Sequence, residues 1–178
     1  MEGGIFRERL KALAQIMQAL KMVKEDNVPC EIEEGVYLGS LGAANDKITL
    51  KSLNITHVLT VASSLSPAHP NDFVYKTIPV LDKEDVLISQ YFDECFAFIE
   101  EARTTGGGVL VHCFAGRSRS VTVVVAYLMF KNRMPLLEAL EHVKILRPVA
   151  SPNLGFMSQL HGFERSLQGA NTDTVLQV

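Results

Sequence analysis

The 178-residue chain is short of several things at once, and each shortage removes a class of protein. It lacks strong charge of either sign. Seventeen Lys and Arg against 20 Asp and Glu leave a net charge of −3, with no whole-chain reason to expect a nucleic-acid partner. It lacks a long apolar run: "VTVVVAYLMF" stops at Lys131, well short of the roughly 18 uninterrupted residues of a spanning helix, so no membrane span is expected. The start, "MEGGIFRERLK", has no apolar secretory core, which points to an intracellular protein of the cytoplasm or nucleus. Cysteine is scarce too. Cys30, Cys95 and Cys113 form an odd set with no C-x-x-C pair and no zinc-type spacing, so neither a disulfide framework nor a metal site is expected. No internal repeat is visible. What is left, 47% hydrophobic and 21% charged, is the composition of one ordinary globular domain with a full core.

The order of elements follows from periodicity and punctuation. Ile5, Phe6, Leu10, Leu13, Ile16, Met17, Leu20 and Val23 share one stripe at helical spacing, with Arg9 intruding, so residues 5 to about 25 read as a helix. "NVPCEIEEG" (27–35) breaks the pattern and reads as a linker. Strands are expected at 35–40, 56–62, 73–81 and in "VLVHC", and helices at 45–53 and 89–103. Pro135 and Pro152 each suit a first helical turn, the latter with Ser151 as N-cap, which places helices near 135–146 and 152–168. Strand–helix alternation predicts an α/β fold with a mostly parallel central sheet flanked by helices and an extra N-terminal amphipathic helix. The expected organisation is a basic amphipathic helix over 1–27, one α/β domain over 28–168 and a flexible tail over 169–178.

Each thiol needs its own explanation. Cys95 shares a helical face with Tyr91, Phe92, Phe98 and Ile99 and reads as core filler; Cys30 has no assigned role. Cys113 stands apart, in "VHCFAGRSRS", where five residues separate it from Arg119. The following "SVTVVVAYLMF" is rich in β-branched residues, and by propensity alone it could return as a strand. The rival reading is strand, loop, then buried helix. There the amides of Phe114, Ala115, Gly116, Arg117 and Ser118 turn inward and the next helix aims its N-terminus at the same spot, an anion site. Gly116 permits the tight backbone, and the planar fork of Arg119 can hold two phosphate oxygens at once. The same field favours the thiolate of Cys113, because helix N-termini and nearby cations lower thiol pKa values from about 8.5. Sulfur attack on phosphorus would give a cysteinyl-phosphate. His112 orients or polarises the thiolate from the strand end, and Ser120 donates a hydrogen bond to the sulfur.

"HCFAGRSRS" resembles the H-C-x5-R-S loop of the cysteine-dependent protein tyrosine phosphatases, and its A-G-x-S-R-S form resembles the dual-specificity branch. "VYLGSLGAAND", "ITHVLTVA", "YKTIPVLD" and "LRPVASPNLGFMSQL" match family blocks in order over roughly residues 32–168, most like the small plant enzymes. The resemblance implies a helix over 119–131, a protein tyrosine phosphatase-like fold, no cofactor and no metal, and phosphoprotein substrates, MAP kinases among them. It also supplies the acid. "PVLDKED" offers Asp82, Glu84 and Asp85; the family pattern maps the proton donor to Asp82, with Asp85 as runner-up, and maps Asn153 to a position that steadies the phosphate loop. Arg117 either contacts acidic substrate or is a solvated loop residue. Two other classes have specific objections: a rhodanese-type sulfurtransferase typically has one residue fewer between cysteine and arginine, and a non-catalytic phosphoprotein-binding module would have lost the nucleophile or the acid.

The N-terminal helix is a separate question. Over residues 5–24, Arg7, Arg9, Lys11, Lys21 and Lys24 face Glu8 alone, a local charge of +4. Basic, amphipathic and methionine-bearing, the segment resembles a calmodulin-target helix, with Leu10, Met17 and Val23 as anchors. Its alternatives are packing on the catalytic domain, self-association, or contact with a membrane surface.

Overall fold

The computed structural model describes residues 2–175, with side chains described over 5–169. In chain order the elements are α1 (Glu2–Glu25), β1 (Cys30–Glu33), β2 (Val36–Gly39), α2 (Leu41–Asn45), α3 (Lys47–Ser52), β3 (Ile55–Val61), β4 (Val74–Ile78), α4 (Phe92–Thr104), β5 (Gly108–His112), α5 (Arg119–Asn132), α6 (Leu136–Leu146) and α7 (Leu154–Val175). A short 3₁₀ turn, Ile88–Tyr91, leads into α4. The strands form one sheet ordered β1-β2-β5-β3-β4, parallel throughout except for the β1–β2 hairpin at one edge.

Side chains alternate across that sheet with the two-residue period of a strand. Val109 and Val111 of β5, with Val36 and Leu38 of β2 and Leu59 and Val61 of β3, enter the larger core, where α4 to α7 pack. Leu110, Tyr37 and Val58 enter the smaller core with Ala44 of α2 and Leu50 of α3. With both faces covered, the central strands are mostly apolar, as in "VLV" of β5, and their buried polar members His57, Thr60 and His112 are each hydrogen-bonded.

The same burial decides α5. Its β-branched run Val121–Val125 sacrifices up to roughly 0.7 kcal/mol of helix propensity per residue. Burying each side chain returns roughly 1.5–3 kcal/mol, and Val121 through Met129 are all buried. Packing outweighs propensity, and the run is a helix. Thr122 satisfies its hydroxyl internally on Ser118 O at 2.7 Å.

Several expected boundaries move. The linker expected at 27–35 contains β1, which pairs with β2 across a turn at Gly35 with φ +76°. Alternation over only four residues was too short a signal for a strand. Helix α2 is an unexpected addition, capped by the Ser40 side chain on Gly42 N. Pro135 is the N-cap of α6 and lies before its first turn. Pro152 likewise precedes α7; Asn153, not Ser151, caps that helix, its Oδ1 accepting from Phe156 N at 2.8 Å. Helix α7 continues to Val175, beyond the expected end near 168, and positions 176–178 of the expected tail lie outside the described residues. Cys95 is buried in the larger core, where burial pushes its thiol up to about 12. Among the described residues no helix is long and apolar enough to cross a membrane, and no cluster of three or more His, Cys, Asp or Glu could hold a metal.

Helix α1 behaves unlike the others. Its stripe does not fold back on the domain: Phe6 is 64% exposed and Met17 61%. Only its last turn is anchored, on α2. Ser40 Oγ donates to Asp26 O at 2.7 Å, and a Cβ on Gly42 would stand 2.1 Å from Val23 O, so only glycine lets the two backbones meet.

Candidate active site

Parallel α/β sheets present their functional loops beyond the carboxyl ends of the strands. Here β5 is the central strand, and the loop 113–118 leaves its carboxyl end before turning into α5. The folding of that loop is dictated by where its carbonyls go. Phe114 O accepts from Leu41 N at 3.0 Å and Arg117 O from Ser151 N at 2.7 Å. Between them, Ala115 O accepts from Arg147 Nη2 at 3.1 Å and Gly116 O from Arg147 Nε at 2.7 Å. Ser118 O accepts from Thr122 N at 2.9 Å inside the new helix. Five successive carbonyls are thus bonded away from the loop's centre. With their carbonyls engaged, the loop amides remain available to an anion bound beside Cys113 and the first turn of α5.

Gly116 makes this turn feasible. Its φ is +60°, and a Cβ there would stand 2.4 Å from Gly39 O and 2.6 Å from Arg147 Nη2. Arg147 itself is only 4% exposed, and its charge is answered by Asp26, whose Oδ2 lies 2.6 Å from Nη2. One guanidinium at the C-terminal end of α6 therefore ties that helix to the loop and to the residue that follows α1. Arg147 is the main residue that sequence reading missed. Its only signal was an arginine at the end of a helix before Pro148, which also describes a solvated residue.

The side chains singled out in sequence come together around this loop. Cys113 is buried, and its Sγ accepts from Ser120 Oγ at 3.2 Å. Arg119 begins α5 and reaches Val80 O through Nη1 at 3.3 Å; its buried Nε has no hydrogen-bond partner. A buried guanidinium nitrogen left unpaired is costly unless something negative meets it.

His112 sits behind the cysteine. Its Nδ1 lies 3.0 Å from Cys113 O, an acceptor, so Nδ1 carries the proton, and Nε2, 2.8 Å from Thr60 Oγ1, accepts from that hydroxyl. Burial, reinforced by the charge of Arg119, pushes its pKa down to about 4 against the bond to Cys113 O. The ring is therefore neutral at neutral pH and held by both nitrogens, as expected of an orienting residue and not of a proton shuttle. Thr60, which fixes the ring, carried no signal in the sequence.

Asn153 joins three pieces. Its Oδ1 caps α7, its backbone N donates to Ser118 Oγ at 3.0 Å, and its Nδ2 donates to Asp82 Oδ1 at 2.9 Å. Asn153 thus caps α7 through its side chain and supports the loop through its backbone N–H. Among the candidate acids, Asp82 is the one bonded to a residue that also holds the loop. Glu84 lies with its backbone O 1.9 Å from where a Cβ of Gly155 would be, so that part of the acidic loop rests on the start of α7. Asp85 and Arg117 are exposed, Phe114 and Ala115 half-buried. His57, His69 and His142 bond elsewhere, to Thr56, Asn45 O and Ile32 O.

The arrangement can bind a tetrahedral oxyanion and present a sulfur to its central atom. A family model described as the dual specificity phosphatase catalytic domain matches residues 36–166. Dual specificity protein phosphatase 1 of Arabidopsis thaliana is 58% identical over 162 residues, 91% of this chain and 82% of that protein. Dual specificity protein phosphatase 1B of the same plant is 57% identical over 139 residues, 78% and 83% of the two chains. Among solved structures, a mouse putative dual specificity phosphatase complexed with zinc tungstate aligns at a TM-score of 0.76 with 33% identity, covering 82% of this chain and 91% of that one.

Proposed function

The chain belongs to the dual specificity phosphatase family and is a protein phosphatase, and we propose that it hydrolyses phosphotyrosine and phosphoserine or phosphothreonine through a cysteinyl-phosphate formed on Cys113. The observation that carries this reading is the outward bonding of the loop carbonyls beside an unpaired, buried Arg119 Nε. Charge is gathered there for an oxyanion before any substrate arrives, which is how preorganised sites lower a barrier. The mouse neighbour's complex with zinc tungstate is in keeping with it, since tungstate is an oxyanion shaped like phosphate.

In the proposed sequence, the Cys113 thiolate attacks phosphorus and the ester P–O bond breaks. The leaving oxygen takes a proton from Asp82. Arg119 and the amides of residues 114–118 hold the three equatorial oxygens, Arg117 facing the incoming chain. Water then attacks phosphorus, giving its proton to the Asp82 carboxylate, and the S–P bond breaks to release phosphate. Ser120 stabilises the departing sulfur through the 3.2 Å bond, and His112 keeps the cysteine backbone in place. No step calls for a metal or cofactor.

MAP kinases are the proposed substrates, on family resemblance, within the cytoplasm or nucleus. For α1, the exposed basic amphipathic stripe supports capture by a calmodulin-type helix binder over packing on its own domain; self-association is the competing use. Pull-down with and without calcium, beside sedimentation of the protein alone, separates the two. The decisive test of the chemistry is Cys113→Ser: turnover of p-nitrophenyl phosphate is lost while phosphopeptides still bind. Persistent turnover in that variant overturns the mechanism.

A further inference from the structure

Beside the phosphate loop runs a groove of about 700 Å³ whose lining includes Leu20 and Val23 of α1, Leu41 of α2, Ile48 of α3 and Phe114. That volume falls in the range of ligand sites. Most of its wall is apolar, and the apolar atoms are not spent on the core: Ile48 is 84% exposed and Leu20 47%. Its α1 wall is firmly placed, by the contact at Gly42 and by the bond from Ser40 to Asp26 O. Phe114 is the residue after the nucleophile, and Leu41 N is bonded to Phe114 O at 3.0 Å, so the groove and the loop share a wall.

We propose that this groove seats a large apolar side chain of the substrate polypeptide, close in sequence to its phosphorylated residue, so that α1 forms one side of the substrate site. The inference rests on the phosphatase reading above. Continuity is its first support: a chain whose phosphate lies against Cys113 must leave the loop past one of its rims, and the Phe114 rim opens on apolar surface. An extended chain advances about 3.3–3.6 Å per residue, so the side chains within about three residues of the phosphate are those in reach. Charge is the second. Lys24 and Lys47 stand on the groove wall with Asp46, whose carboxylate is occupied by Thr49. Residues 5–24 carry a local charge of +4, which suits a phosphorylated, anionic segment and repels a second copy of the same helix.

Two phosphopeptides that differ only in Leu or Gly at the flanking positions test it. Binding to Cys113→Ser protein and kcat/KM of the wild type are both expected to favour the Leu peptide by about tenfold. Leu20→Ser with Ile48→Ser should bring the ratio close to one while p-nitrophenyl phosphate turnover stays unchanged. No preference in the wild type overturns the proposal, as does a preference that survives in the double variant. A concentration-dependent dimer dissolved by those substitutions would assign the groove to a second copy and overturn it too. Failure of p-nitrophenyl phosphate turnover in the wild type would count against the phosphatase reading alone, since the peptide ratio is also read by binding.

Discussion

Helices α1 and α5 are both long, both carry apolar residues along much of their length, and both have an end at the phosphate loop; their fates are opposite. In α5 every residue from Ser120 to Met129 is buried, and its N-terminus is aimed at Cys113. In α1 the apolar stripe from Ile5 to Leu20 stays largely in solvent, and only Asp26, the residue after its last turn, reaches the loop, through Arg147. The lesson is that apolar content decides how much surface a helix offers, while the neighbours decide whether that surface becomes core or interface. Helix α5 is surrounded by the sheet and by α4, α6 and α7; α1 leaves the domain before anything covers it.

After loss of the nucleophile itself, the largest break between the two regions should come from the carboxylate bonded to Asn153, on the α5 side of the comparison. Asp82→Ala is expected to slow turnover by roughly 10²–10⁴ while Asp85→Ala changes it little, read from kcat on p-nitrophenyl phosphate and on a phosphoserine peptide. The reverse ranking would move the proton donor to Asp85.

Arg147 is where the two regions are bolted together. Arg147→Met leaves Asp26 without its partner and frees the carbonyls of Ala115 and Gly116. Stability should fall by about 3 kcal/mol in urea unfolding. Turnover should drop on the order of 10², as a misplaced loop costs, at temperatures where the variant is still folded. Unchanged kcat would mean that the loop holds its shape without this arginine.

Acid should strike behind α5 and spare α1. The pKa of His112 is about 4 in the folded chain against an ordinary 6.5, so below 6.5 the unfolded state binds a proton that the folded state does not. Its contribution is complete above pH 6.5 and is lost as pH falls toward 4, at a cost of about 3 kcal/mol. Urea unfolding across that window checks the sign, and His112→Gln should flatten the slope. The smallest effect belongs to α1. Leu13→Ser is expected to alter stability by less than about 0.5 kcal/mol and p-nitrophenyl phosphate turnover not at all, whereas Leu128→Ala in α5 should cost about 2–5 kcal/mol.

Much of the site was legible before the fold. Cys113, Gly116, Arg119 and Ser120 lie within eight positions of one another, so a local loop carries their relation and short spacing exposes it. Asp82 and Asn153 were reachable only through resemblance, because the bond between them spans 71 positions. Arg147, Thr60 and Asp26 were not reachable. Each is an ordinary polar residue in sequence, and each gains its role from a partner that folding alone delivers.

By itself, then, the order of residues determined the alternation of strands and helices, the chemistry of the loop and the basic character of α1, since these depend on neighbours along the chain. The helix over 119–131 was legible through the family resemblance, against local propensity; only the tertiary structure decided that α1 stands uncovered and that one buried arginine holds the carbonyls of Ala115 and Gly116. Burial and hydrogen-bond partners are properties of three-dimensional proximity, and residues far apart in sequence acquire them only when the sheet brings them together.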